Sequence, residues 1–255
     1  MKYRKLALLA FALPAGVLTA AAPASAEEAM TLHADLTALN DSGAHGTSTV
    51  TIEGTRVTVD IESSGLLADQ PHAQHFHIGG TNMCPGPDVA DDIEDDDRLS
   101  TTEGQPFYGE IKTSLTTEGD TSPDSGLAVD RFPVAGADGH VTYHRTFEVP
   151  EDVASSIRAG EAVIVQHGLD YNGNGEYDAD GGGASDLDPE LPAEATDPAT
   201  CGKLTPAPEG GMAAGGGGAG SAGPDALMLG SGAALVAAAG AGAGFLFRRR
   251  MVQGH

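Results

Sequence analysis

Three histidines have the spacing needed to share one metal ion. His75 and His77 lie in the run HFH, and residues two apart on a β-strand point to the same face, so both imidazoles project together. His167 ends another apolar segment, in which Val163 and Val165 share its parity. Imidazole nitrogen suits copper and zinc, and copper forms the stronger complexes. If the two strands meet, the sequence predicts a copper site at His75, His77 and His167. If they do not, the HFH pair is an exposed strand end.

Other histidines are interpreted as structural. His72 lies just upstream of the pair and either supplies a fourth copper ligand or belongs to a turn, and the turn is the favoured interpretation. His140 and His144 alternate with the apolar residues of their own segment, so we expect them to face solvent.

An oxygen-rich loop follows His167 directly and predicts a calcium site. Oxygen side chains occupy positions 1, 3, 5 and 9 of an EF-hand-type loop, with glycine at position 6. These four side chains are Asp170, Asn172, Asn174 and Asp178. Position 12 is Gly181, so the bidentate carboxylate would come from elsewhere, such as Asp180.

A second calcium candidate spans residues 92–103. Its acidic side chains at positions 1, 3, 5 and 12 are Asp92, Glu94, Asp96 and Glu103. Position 6 is Asp97, where glycine normally permits the turn, so a plain acidic surface loop is an equally open interpretation. Calcium in either loop would neutralise carboxylates and fix the segments beside the histidines.

The elements that must position these residues are short strands. Alternating apolar segments recur between Gly, Pro, Asp and Ser residues, which is typical of antiparallel β structure. Residues 50–61 predict a hairpin around Gly54, and residues 151–159 predict one short helix. The expected fold is all-β, a Greek-key antiparallel sandwich or flattened barrel. The other predicted strands are residues 32–38, 73–78, 109–115, 140–149 and 162–167.

The two ends of the chain predict export and a membrane anchor. Residues 1–26 have the basic start, apolar run and small residues of a cleaved signal peptide, with an uncleaved anchor as the alternative. Residues 27–204 then form the extracytoplasmic domain and residues 205–224 a Gly/Ala/Pro-rich linker. Residues 225–247 predict a single transmembrane helix, and residues 248–255, which begin with three arginines, a cytoplasmic tail. The alternative for this end is a processed wall-sorting signal.

Composition excludes some partners and favours others. The chain has 13 Lys and Arg against 37 Asp and Glu, and six of the basic residues lie in the two terminal segments. Such an acidic domain is not expected to bind nucleic acid, whose phosphates require basic contacts. It suits a salty exterior or bound cations. The two cysteines, Cys84 and Cys201, are expected to form a disulfide, because exported proteins keep such bonds.

The order of these motifs resembles the Cu/Zn superoxide dismutase family. The matching parts are HFH, a cysteine shortly after it, the strand VIVQHGLD and the terminal CGKL. The resemblance implies that His75, His77 and His167 bind copper and that Cys84 pairs with Cys201. The stretch GTSTVTIEGTRVTVDIESSGL, leading into HFHIGG, also resembles the CHRD domain, a β-sandwich family that implies no particular activity.

The departures from the dismutase pattern argue against efficient dismutation. No histidine lies between Cys84 and Asp138, so no zinc site of the family type is expected. The family's arginine is missing from the residues just before Cys201, and the acidic domain would repel superoxide. The sequence therefore predicts a membrane-tethered copper protein, either a slow redox enzyme or a copper store. The alternative is a CHRD-like structural or ligand-binding domain, stiffened by calcium and without enzymatic activity.

Overall fold

The computed structural model describes residues 28–86, 89 and 98–207. The predicted signal peptide, transmembrane segment and tail lie outside the described residues, as do most of the linker and the candidate calcium ligands Asp92, Glu94 and Asp96. In the described part of the chain, no helix is both long enough and apolar enough to cross a membrane.

In the described residues, nine strands form one curled antiparallel sheet, which confirms the predicted all-β class. Along the sheet the order is β5-β4-β7-β8-β1-β2-β3-β6, and β9 pairs with β1. The strands are β1 Met30–Ala38, β2 His45–Glu53, β3 Arg56–Ser64, β4 Gln74–Ile78, β5 Glu110–Ser114, β6 Val141–Glu148, β7 Val163–His167, β8 Pro198–Lys203 and β9 Thr205–Pro206.

The β2–β3 hairpin shows how the apolar alternation builds the core. Val50 pairs with Val59 and Ile52 with Val57, and all four side chains are fully buried on one face. Gly54 takes a positive φ of 58° in the connecting turn, a conformation that glycine adopts without a Cβ penalty. This face belongs to the larger core, to which Phe76 of β4 and Ile164 of β7 also contribute.

Helices are few and short. They are α1 Thr101–Tyr108, α2 Glu151–Arg158 and α3 Ala193–Thr196, with 3-10 turns at Pro123–Ser125 and Val129–Arg131. The predicted helix at residues 151–159 is confirmed as α2. The helix α1 was not predicted. It begins with a capping box, in which Ser100 and Glu103 bond to each other's backbone N–H groups.

The outer face of β4, β7 and β8 is covered as well as the inner one. Val163 and Val165 of β7, Cys201 of β8 and Tyr108 of α1 are buried together in a second apolar cluster. The predicted disulfide between Cys84 and Cys201 is confirmed, and it ties the segment after β4 to β8 on this side. The histidine motifs lie under the same cover.

The two edge strands, β5 and β6, are linked by side chains. The Tyr143 hydroxyl and the Arg145 guanidinium of β6 both donate to the carbonyl oxygen of Thr116, just after β5, at 3.1 and 2.7 Å. Arg145 also donates to the carbonyl oxygen of Gly119 at 2.5 Å. These contacts draw the two ends of the curled sheet together.

Candidate metal centre

The register of two neighbouring strands places the three histidines together. In the antiparallel β4–β7 pair, His75 lies opposite Val165 and His77 opposite Val163. His167 continues the same face of β7 and is held by a backbone bond from its N–H to the carbonyl of Ala73, at 2.8 Å. His75 and His77 therefore lie on one face of β4, as predicted, and the His167 ring lies beside them on the adjacent strand β7.

The three rings form a compact buried cluster. One ring nitrogen from each histidine lies within 4.8 Å of the other two. The ring centroids are 5.6 Å apart for His75 and His77, and 5.1 and 6.0 Å from these to His167. Each side chain is no more than 2 % exposed. The predicted convergence is confirmed, and the cluster could hold one metal ion.

The outward nitrogen of each ring is fixed by a backbone carbonyl. A ring N–H that donates to a carbonyl holds the imidazole in one tautomer and one orientation, as is usual for metal-binding histidines. The donor and acceptor pairs are His75 Nε2 with Gly126 O at 3.0 Å, His77 Nδ1 with Gly109 O at 3.0 Å, and His167 Nδ1 with Thr196 O at 2.5 Å.

The inward nitrogens have no hydrogen-bond partner among the described residues. They are Nδ1 of His75, Nε2 of His77 and Nε2 of His167. A buried polar atom left unpaired costs about 1–3 kcal/mol. Each ring donates its outward N–H to a carbonyl, so its inward nitrogen is unprotonated and has a free lone pair. Coordination of one cation by the three lone pairs would explain why they lie together.

Burial keeps these rings neutral. Desolvation, followed by a smaller effect of the charge of His167, lowers the pKa of His77 to about 3. Desolvation also lowers the pKa of His167 to about 4. The pKa of His75 is lowered well below its usual value, mainly by desolvation and then by the charges of His167 and His77. At neutral pH all three lone pairs are available to a metal.

Aromatic and hydroxyl side chains wall the cluster. Tyr108 packs edge-on against His77 with ring centroids 4.7 Å apart, and Phe132 packs against His75 at 5.3 Å. The Thr101 hydroxyl donates at 2.6 Å to the carbonyl of Thr196, which also accepts from His167. None of these residues was predicted from the sequence to lie beside the site. The capping box at the start of α1 is the signal that could have located Thr101 and Tyr108 beside the site.

The remaining histidines lie outside the cluster. Both ring nitrogens of His72 lie 2.9 Å from backbone carbonyls, those of His167 and Leu67, and His72 does not belong to the group of side chains that could hold a metal. His72 lies in the segment just before β4 and not in a turn, and its ring contacts the backbone beside the cluster. His144 lies on the outer face of β6 and is exposed, as predicted, and His140 lies just before that strand. They contact Asp60 and Glu62 at 2.5 and 2.9 Å.

The predicted calcium loop is closed by its own hydrogen bonds. The Asp170 carboxylate accepts from three backbone N–H groups, and the amides of Asn172 and Asn174 donate to Asp178. The buried carboxylate of Glu194 accepts from the backbone N–H groups of Tyr171 and Asp178 and so clamps both ends. Calcium binding by this loop, with Asp180 as a further ligand, stays a prediction.

Glu103 of the second candidate loop has a different partner. Its carboxylate accepts from the backbone N–H of Ser100 at 2.7 Å and so caps helix α1. Among the described residues, the three-histidine cluster is the one group of three or more His, Cys, Asp or Glu side chains arranged to hold a metal.

Neither a protein-family model nor a curated protein matches the chain. The fold and the site together define an antiparallel β domain with a buried three-histidine cluster on the outer face of its sheet. Its function is inferred from that cluster.

Proposed function

We propose that the chain is a copper-binding protein related to the Cu/Zn superoxide dismutases, with its folded domain outside the cell and its C-terminal segment in the membrane. The observation that carries the proposal is the set of three unpartnered imidazole nitrogens within 4.8 Å of one another. His75, His77 and His167 would hold the ion. The membrane location rests on the terminal segments of the sequence.

The donor set favours copper over other divalent metals. Three neutral imidazoles supply no carboxylate oxygen, which disfavours calcium, magnesium and manganese. Zinc accepts three histidines too, but copper exceeds zinc in affinity for a given nitrogen site. The disulfide is consistent with an oxidising compartment. When bound, copper would supply one-electron redox chemistry.

The order and placement of the motifs support the resemblance to dismutases. The two strands that bear the histidines are neighbours, and the disulfide joins the segment after β4 to β8, as the resemblance implies. The side-chain links between the edge strands support a flattened Greek-key barrel.

The same structure supports weak dismutation at most. The residue four before Cys201 is Asp197, whose buried carboxylate pairs with Arg98 at 2.6 Å. That arginine is occupied by an ion pair and adds little net positive charge to attract an anion. A copper store or a slow redox protein therefore fits better than an efficient dismutase.

A second candidate is a CHRD-like structural or ligand-binding domain stabilised by calcium. The clamped loop at residues 170–178 favours it, because a loop with both ends fixed is partly organised for an ion. This candidate gives the three inward nitrogens no role.

Copper stoichiometry of the purified full-length protein tests the proposal. We expect one tightly bound copper, retained against excess zinc, and its loss in the His75→Ala/His77→Ala variant. The matched control is His140→Ala/His144→Ala, which removes two histidines at the start of β6, outside the cluster, and should keep the copper. No binding, or equal binding by all three proteins, would exclude the copper site and leave the calcium-supported domain.

A further inference from the structure

Two cavities reach the histidine cluster from outside. One has a volume of about 20 Å³ and is lined in part by the rings of His75 and His167. The other has a volume of about 330 Å³ and touches His77. Ile111 and Leu187 line both cavities, so these two side chains separate the two routes to the cluster.

The smaller cavity is apolar and tight. Apart from the two histidines, its side chains are almost all aliphatic, including Leu127, Val129, Leu187 and Leu191. A cavity needs roughly 10–15 Å³ to hold one water-sized molecule, so this one accommodates a molecule of about two heavy atoms. Apolar cavities of this kind stay dry and take up small apolar molecules.

An anion entering either route would meet no compensating side-chain charge before it reached a bound ion. In the described part of the chain, neither cavity is lined by Lys or Arg. The larger one is lined by the carboxylate of Glu110, which pairs with nearby Lys112 at 2.8 Å. Moving an ion into apolar surroundings without a partner costs several kcal/mol, whereas a neutral diatomic molecule loses little hydration.

Leu187 is placed to act as the gate. It is 40 % exposed at the mouth of both cavities. Its loop is anchored on either side of the cluster: the Asp186 carboxylate accepts from the backbone N–H of Thr102 at 2.7 Å, and the Thr196 hydroxyl donates to the Ser185 hydroxyl at 2.7 Å. The leucine is thus held in place by neighbours, although its own side chain is half exposed.

The geometry points to a small uncharged molecule as the ligand admitted to the three-histidine cluster, of the size of dioxygen where it enters by the smaller cavity, with Leu187 as a residue that keeps both mouths free of positive charge. This inference rests on the proposed copper function. It differs from a dismutase site, which must admit an anion.

Two probes separate neutral from anionic access on the full-length protein. Carbon monoxide is added to the cuprous protein and followed by infrared spectroscopy, and azide is added to the cupric protein and followed by visible absorption. We expect carbon monoxide to bind and azide to give no change in wild type. Leu187→Lys should raise azide affinity about tenfold or more, because a cation at the mouth offsets the cost of bringing in the anion.

Control variants and a measurement of copper content distinguish failure of this inference from failure of the proposed copper function. Leu187→Met preserves size and polarity and should behave as wild type, as should Met83→Ala, which alters an exposed apolar side chain outside both cavities. Azide binding by wild type, or failure of carbon monoxide to bind a copper-loaded protein, overturns this inference alone. Failure of wild type to retain copper overturns the proposed function, and this inference with it.

Discussion

Lowering the pH is expected to destabilise the metal-free protein, because its clustered histidines are buried in neutral form. Burial holds the pKa of His77 at about 3 and that of His167 at about 4, and it holds the pKa of His75 well below 6.5. In the unfolded chain each returns to about 6.5. Between these values the unfolded state binds more protons. The stabilisation that is complete above about pH 6.5 is therefore lost progressively as the pH falls.

The magnitude follows from these shifts. At pH 5, His77 and His167 each destabilise the fold by about 2 kcal/mol, at about 1.4 kcal/mol per pH unit below 6.5. Asp197 acts in the opposite sense, because burial raises its pKa to about 6 despite the Arg98 partner. As the pH falls, Asp197 is protonated in the folded state at a higher pH than in the unfolded state. This difference stabilises the folded state by about 1 kcal/mol at pH 5. The net loss is about 3 kcal/mol, increased by His75, which corresponds to a fall in Tm of about 6–12 °C.

Urea titrations of the metal-free protein at pH 7.5, 6 and 5, followed by circular dichroism, measure this loss. The His75→Ala/His77→Ala variant should show a much smaller decrease, because two of the titrating groups are gone. The surface variant His140→Ala/His144→Ala should keep the wild-type decrease. A free energy of unfolding that stays constant or rises between pH 7.5 and 5 would refute the assignment of buried neutral rings.

Three further perturbations test the support around the site. Cys84→Ser/Cys201→Ser opens a link across 117 residues and should lower the free energy of unfolding by about 4–5 kcal/mol in the chain-entropy model, measured by urea titration. Thr101→Val removes the hydroxyl beside the β7 histidine and should weaken copper binding about tenfold in a competition titration, whereas exposed Thr102→Val should not. If residues 170–178 bind calcium, Tm should rise with calcium and fall with chelator, and an unchanged Tm would exclude the site.

The parts of the fold that follow from local alternation were predicted correctly. The hairpin around Gly54 and the shared face of His75 and His77 both come from the two-residue period of a strand, which the chain displays directly. The neighbouring positions of β4 and β7 could not be derived in the same way. The alternation within β7 determines on which face of the sheet His167 lies. Which strand is its neighbour depends on pairing between distant segments, and the local pattern does not show that pairing.

The cover of the site was not predicted, for two physical reasons. Helix α1 contains Gly104 and Pro106, which are weak helix formers, and Glu103 was interpreted as the end of a calcium loop. Glu103 lies three residues after Ser100, which is also the spacing of a capping box. The same residues therefore fit either a calcium loop or the start of a helix. The carbonyls that orient the three rings are backbone groups, and they leave no signature in residue type.

A substitution at His77 should show whether the buried histidine contributes to the stability of the fold or only to copper binding. An ordinary core truncation such as Phe76→Ala, on the opposite face of β4, should destabilise the protein by about 3–5 kcal/mol. His77→Leu should behave differently in the metal-free protein. It removes one buried unpaired nitrogen, worth about 1–3 kcal/mol, and it takes a donor from the buried Gly109 carbonyl, which costs a similar amount.

We therefore expect metal-free His77→Leu to be about as stable as wild type, by urea titration, and to lose its copper. In wild type, copper should then raise Tm with the logarithm of its concentration above Kd, whereas the variant should show no such rise. If His77→Leu lowers the free energy of unfolding as much as Phe76→Ala, the histidine is a packing residue and its unpaired nitrogen is no measure of metal binding. If His77→Leu does not lower the stability in this way, leucine serves the fold as well as histidine does. Metal binding then explains why three buried, unpaired nitrogens are present.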